Sequence, residues 1–161
     1  MAFAGVPESL VELIEECADI AWSQPCHQYH LPGNVNVGGL RSEVSAVVDL
    51  GRPNEEHIER ILQYWPYGDP DSLEDQDYVL RRLAEGASSG FFDEGELVSW
   101  VVTGDDLSMS MMHTMPTHRR RGIARLVTAD LTVQLCDDGH TPYCYVVAGN
   151  DAPVRLLEDL G

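Results

Sequence analysis

The sequence predicts an α/β fold, an α+β arrangement in which a mixed sheet carries helices on its faces. Three observations point there. Phe91-Phe92, Leu97 to Val102 and Leu107 to Thr114 are apolar β-type runs, punctuated by Asp93-Glu94-Gly95 and Gly104-Asp105, which reads as an antiparallel meander. A strong helix follows from Gly122 to Asp138, with Ile123, Val127, Leu131 and Leu135 recurring on one face beside Leu126 and with Gly139 as its stop. A strand, Tyr143 to Ala148, and a helix, Ala152 to Leu160, complete the run. A meander followed by strand, helix, strand and helix requires a layered sheet. Its central strand–helix–strand unit is expected to be a right-handed crossover between parallel strands.

The remaining elements lie upstream. Pro7 to Trp22 places Leu10, Leu13, Ile14, Cys17 and Ala21 at helical spacing opposite carboxylates, an amphipathic helix. Ser23 to Leu40 turns to Pro, Gly, Asn and Gln and reads as a linker, so residues 1–40 are expected to form a helix and linker and 41–161 the main domain. Val44 to Leu50 is short, apolar and β-branched, a strand. Asn54 caps a helix through Ile58, Ile61 and Leu62 that ends at Pro66 and Gly68. Ser72-Leu-Glu-Asp75 opens a second helix that runs through Leu83 and stops before Gly86.

At 161 residues the chain fits one domain. Its 27 acidic and 10 basic side chains give a net charge of −17, which argues against nucleic acid and anionic lipid as partners. No apolar run reaches the ~20 residues of a membrane span. The N-terminus has Glu8, Glu12, Glu15, Glu16 and Asp19 and no basic residue, unlike a secretory or mitochondrial leader. Cys17, Cys26, Cys136 and Cys144 show no CxxC spacing and read as reduced thiols. Cys26-His27-x-x-His30 lacks a second ligand pair, so no metal site is expected. Trp22, Trp65 and Trp100 read as packing residues. Met109, Met111, Met112 and Met115 make a methionine-rich strand, suited to the core or to the wall of an adaptable tunnel.

The chemistry concentrates in Thr114-Met-Pro-Thr-His-Arg119-Arg-Arg-Gly-Ile-Ala124. A strand ends, a loop turns, and a helix begins with Gly122 in its first turn. Such a start exposes backbone N–H groups at the positive end of the helix dipole, a seat for phosphate or pyrophosphate. Gly122 admits close approach and Ala124 keeps the next side chain small. Arg119, Arg120 and Arg121 gather three of only 10 basic residues here. The competing reading is a solvated basic turn. Neither GxGxxG nor GK[ST] is present.

Arg119-x-x-Gly122-x-Ala124 matches the Arg/Gln-x-x-Gly-x-Gly/Ala motif of the GNAT acyltransferase superfamily. Trp65-Pro-Tyr-Gly68, Leu97-Val-Ser-Trp100, Thr114-Met-Pro-Thr-His-Arg119, Gly139-His-Thr-Pro-Tyr-Cys-Tyr145, Asn150 and Leu160-Gly161 resemble, in order, the C-terminal domain of the glycine N-acyltransferase-like family. The resemblance spans Val47 to Gly161. It implies a GNAT fold with acyl-coenzyme A in a split between two parallel strands. Met112, His113 and Thr114 would line the pantetheine arm. Arg119, Arg120, Arg121, Gly122, Ile123 and Ala124 would hold the pyrophosphate, and Asn150 would sit near the thioester arm. The implied reaction is attack of glycine or another small amine on the thioester, an amino-acid conjugation. That chemistry needs a base for the amine proton and a donor for the developing oxyanion.

Three departures qualify the resemblance. The family's base, a Glu, falls at Ser108 here, leaving Asp105, Asp106 and His113 as other candidates. The superfamily's Tyr acid falls at Leu157. The sequence ends at Gly161, short of the superfamily's usual last strands, which would leave a sheet edge open to a homodimer. A non-catalytic acyl-coenzyme A binder and a protein N-acetyltransferase acting on basic peptides are therefore the alternatives. The resemblance points to mitochondria, whereas the acidic N-terminus leaves cytoplasm as the default expectation.

Overall fold

The computed structural model describes residues 5–20 and 23–160. The N-terminal helix is shorter than its pattern suggested. A 3-10 turn, Glu8–Leu10, leads into α1, Val11–Glu15, and neither buries a residue. Leu10 and Leu13 stay 45% and 57% exposed, so no packing supports propagation of so short a helix. Glu15 and Glu16 at its C-terminal end also oppose the dipole. Ala21 and Trp22, at the end of the expected helix, lie outside the described residues, as does Gly161.

The expected linker holds two elements instead. Strand β1, Cys26–His30, is followed by helix α2, Val37–Val44. Asn36 caps α2 by accepting the Gly39 N–H at 3.0 Å. Leu40 and Val44, one turn apart, pack with Ala129, Val133 and Leu160. The expected strand from Val44 to Leu50 is accordingly corrected: Val44 ends a helix, Val48 is 95% exposed, and only β2, Leu50–Gly51, is extended. The boundary drawn between residues 40 and 41 falls inside α2.

The rest follows the sequence reading closely. Asn54 accepts the Glu56 N–H while its own N–H bonds to His57 Nδ1, starting a 3-10 turn and then α3, Ile58–Tyr64. Ser72 caps α4, Leu73–Glu85. The meander is β3, Ser88–Asp93; β4, Glu96–Thr103; and β5, Met109–Thr114. Then come α5, Ile123–Asp137; β6, Tyr143–Val147; and α6, Asp151–Glu158.

The strands form two sheets, β2-β3-β4-β5 and β1-β6, all neighbours antiparallel. One face of the larger sheet packs α3 and α4 through Ile61, Leu62, Val79, Leu83, Leu97, Trp100, Val102 and Met111. The other packs α5 and α6 through Val101, Met109, Val127, Leu131, Leu135, Cys144 and Val146, with Val154 and Leu157 beside them. Strand β6 pairs with β1 over five residues, from Cys26 opposite Val147 to His30 opposite Tyr143. Alternation along β1 sets His27 on the face opposite Cys26 and His30, so these three side chains do not converge.

Candidate functional site

Strand β5 is an edge of its sheet, and beyond it lies β6 of the other sheet without a shared ladder. Tyr143, opening β6, donates its hydroxyl to the carbonyl of Asp106, in the loop before β5. The two strands therefore start side by side. Two strand edges facing each other without pairing leave main-chain donors and acceptors available to an extended ligand.

A bulge re-aims this edge. Val102 pairs with Ser110 and Trp100 with His113, so Met111 and Met112 together oppose Val101. Met111 takes φ 48°, a left-handed backbone unusual for a residue with a side chain. The extra residue leaves the ladder and bends β5 at the site, a device common beside active sites. Ser99 steadies the stretch, its hydroxyl donating to the His113 carbonyl at 3.1 Å and lying 2.7 Å from Thr114 Oγ1.

After β5 a 3-10 turn, Pro116–His118, leads to the arginines, which diverge. Arg119 Nε donates to the Thr114 carbonyl at 2.9 Å, and Arg121 lies 3.9 Å from Asp93. Arg120 is exposed with φ 59°. His118 Nε2 sits 2.9 Å from the same Asp93. Gly122 then starts α5 at φ 78°, with open space where a side chain would stand. The first helical bond runs from Leu126 N–H to the Gly122 carbonyl, and no side chain caps the helix. The N–H groups of Ile123, Ala124 and Arg125 thus lack helical acceptors and face the positive end of the dipole. Ile123 itself is buried, so only its backbone serves the site. Asn150, at the start of α6, is exposed and makes no side-chain cap, and it follows β6 at the same end of the split.

The candidate bases separate. Asp105 is committed to Arg81 at 3.4 Å and Arg82 at 3.3 Å. Asp106 Oδ1 accepts the Ser108 N–H at 3.0 Å, closing a turn. Ser108 is 6% exposed and lies five residues before His113, about 15 Å along the strand. His113 sits at the bulge, stacked 4.3 Å from the Tyr64 ring and 5.2 Å from Trp100. Its Nε2 is buried without a partner. Burial first, and the charge of Arg119 second, hold this imidazole below its ordinary pKa. Leu157 packs in the core beside Met109. Sequence reasoning missed Tyr64 and Asp93. The aromatic run Tyr64-Trp65-Pro-Tyr67 was the signal for the first, and nothing local marked the second.

No group of histidine, cysteine and carboxylate side chains poised for a metal occurs among the described residues. None of their helices is long and apolar enough to cross a membrane.

Residues 86–161 match the family described as FR47-like protein. Over 107 residues the chain is 27% identical to human glycine N-acyltransferase-like protein 2, a stretch that covers 65% of this chain and 35% of that protein. Among solved structures, a Drosophila structural-genomics target superposes with a TM-score of 0.76 at 19% identity, over 98% of this chain and 55% of that one. A protein described as a GNAT-family acetyltransferase from Novosphingobium aromaticivorans gives 0.64 at 19% identity, covering 86% and 58%. An acetyltransferase of the GNAT family from Colwellia psychrerythraea gives 0.66 at 15% identity, covering 86% and 52%. The chain thus spans little more than half the length of these structures.

Proposed function

We propose that this chain, which has the GNAT acyltransferase fold and is related to the glycine N-acyltransferase-like proteins, transfers an acyl group from acyl-coenzyme A to the amine of glycine or another small amine. The observation that carries the reading is the junction of bulged β5, the left-handed Gly122 and the uncapped start of α5. It offers an extended edge for the pantetheine amides and a cluster of N–H groups for the pyrophosphate, in line. Arg119 and Arg121 add charge at the rim, and Asn150 borders the arm from the side of α6.

His113 supports the chemistry better than Ser108 or Asp106. The acceptor enters as the free amine; its nitrogen attacks the thioester carbonyl, and the proton which that nitrogen sheds as the C–N bond forms passes through one water to the unpartnered Nε2. The tetrahedral intermediate then collapses, the C–S bond breaks, and coenzyme A leaves as the thiolate. With Leu157 in the core, protonation of that thiolate falls to water.

Thiol release from acetyl- or benzoyl-coenzyme A in the presence and absence of glycine tests the reading. Glycine-dependent release supports it, and binding without release across a panel of amines would favour the non-catalytic binder that Ser108 and Leu157 suggest. The pH profile gives a sharper check on the base. The lowered pKa keeps His113 neutral, and so able to accept a proton, at a pH where an ordinary histidine is charged. The acidic limb of kcat/KM is therefore expected below the ordinary value of 6.5, and His113→Gln should abolish that limb. A limb above 6.5, or one that survives the substitution, would remove His113 from this role.

The Arg119→Ala, Arg121→Ala double variant is expected to weaken coenzyme A binding by about 1–3 kcal/mol, a factor of roughly 5 to 150. Calorimetric titration checks this, with thermal unfolding confirming that the variant is folded. Unchanged affinity would count heavily against the assigned turn.

A further inference from the structure

We infer that Asp93 is a positioning residue for coenzyme A: through His118 it fixes the turn that carries Arg119 to Gly122, and it yields Arg121 to the incoming phosphates. This rests on the acyl-coenzyme A reading above and adds a residue that acts on the ligand through the turn. Asp93 closes β3, at the mouth of a two-residue hairpin whose Glu94 and Gly95 take φ 52° and 84°. Two left-handed residues in succession make the tight connection that matches strand twist, so the carboxylate stands on a rigid base. Glu96, its neighbour across the ladder, is paired with Arg60, which leaves Asp93 to the turn.

The turn needs such a hold. No backbone carbonyl among the described residues accepts the N–H of Arg120, Arg121 or Gly122, and Arg120 and Gly122 are both left-handed, at φ 59° and 78°. Asp93 reaches this stretch at two points. Its Oδ2 lies 2.9 Å from His118 Nε2 and 3.9 Å from Arg121 Nη1. An ionised carboxylate only accepts, so Nε2 carries a proton and donates it. Thr117 Oγ1, 2.8 Å from Nδ1, closes the other side of the ring. With both nitrogens engaged and its side chain 16% exposed, His118 ties the turn to the hairpin.

The two contacts differ in kind. The first has the length of a hydrogen bond, whereas the second is too long for one and is charge attraction alone. Exposed Arg121 can therefore swing to a pyrophosphate at the start of α5 while His118 stays bound. Holding the turn before the ligand arrives removes part of the ordering cost of binding. The carboxylate also sets a negative charge beside the phosphates. At a surface position that opposition amounts to a factor of about five at most, less than the hold contributes.

Calorimetric titration of coenzyme A into the full chain tests the inference, in the wild type, Asp93→Ala, His118→Ala, the double variant and Asp93→Asn, each checked by thermal unfolding. Asp93→Ala and His118→Ala are each expected to weaken binding by about five- to twentyfold. The double variant should bind within about twofold of the single ones, because all three break the same link. Asp93→Asn keeps an acceptor for Nε2 and drops the charge, so it should bind at least as tightly as the wild type. Pantetheine, which lacks the pyrophosphate, should bind every variant as it binds the wild type, followed by amide chemical shifts. Additive losses, an unchanged affinity in Asp93→Ala, an Asn variant as weak as the Ala variant, or pantetheine weakened in parallel would overturn the positioning role while leaving coenzyme A binding intact. Absence of coenzyme A binding by the folded wild type would overturn both readings. If Asp93→Ala fails to fold, an unchanged affinity in His118→Ala overturns the role.

Discussion

Gly122→Val is expected to weaken coenzyme A binding by about a hundredfold or more while the protein stays folded. At φ 78° a β-branched side chain is strained by roughly 1–2 kcal/mol, and it would project into space now open above the helix start. The backbone can escape only by rotating the N–H groups of Ile123 and Ala124 away from the phosphates. Each charge-assisted hydrogen bond lost there costs about 1.5–3 kcal/mol. Together the two effects exceed the ~2.7 kcal/mol that a hundredfold requires. Titration calorimetry reads the affinity, and thermal unfolding should show a drop of only a few degrees, because the strain lies at a surface turn. Affinity within threefold of the wild type would mean that the ligand does not use this turn.

Trp100→Ala carries the largest expected effect on stability. The indole is fully buried in the middle of β4, packed among Ile61, Leu62, Val79, Leu83 and Met111, and it supports both Tyr64 and His113. Removing a ring of this size from a closed core costs about 3–5 kcal/mol. For a chain of this length that corresponds to a fall in Tm of roughly 6–20 °C, measurable by calorimetry or denaturant titration. The same cavity frees His113, so any variant that still folds should lose acyl transfer more than coenzyme A binding. A loss of stability under 1 kcal/mol would contradict the packing described here.

The elements legible in the sequence were those whose signals are local. The meander shows its turns at Glu94-Gly95 and Gly104-Asp105, α5 shows a full apolar face, and Gly122 marks the start of that helix. Helix α2 was hidden because its Asn36 cap is followed by Gly38-Gly39, which reads as loop, while Val44 to Leu50 carries β-branched residues that belong to no strand. Strand β1 was hidden more deeply. Cys26-His-Gln-Tyr-His30 has no apolar alternation, and its partner, β6, lies more than a hundred residues away. The turn before α5 was readable because glycine is needed at one backbone angle. The bulge at Met111 was not, since no glycine announces its left-handed residue. The Tyr64–His113–Trp100 stack and the hold of Asp93 on His118 and Arg121 join three or four separate elements, and only the tertiary structure brings them together.

Coenzyme A is expected to lie along β5 with its pyrophosphate on the start of α5, and amide chemical-shift mapping tests this most directly. On titration with coenzyme A, saturable shifts are expected at Gly122, Ile123, Ala124 and Arg125, with a second group at Met112, His113 and Thr114. Saturable binding whose shifts avoid both groups, or the absence of binding by folded protein, would contradict the account and leave Arg119 to Gly122 as a solvated basic turn.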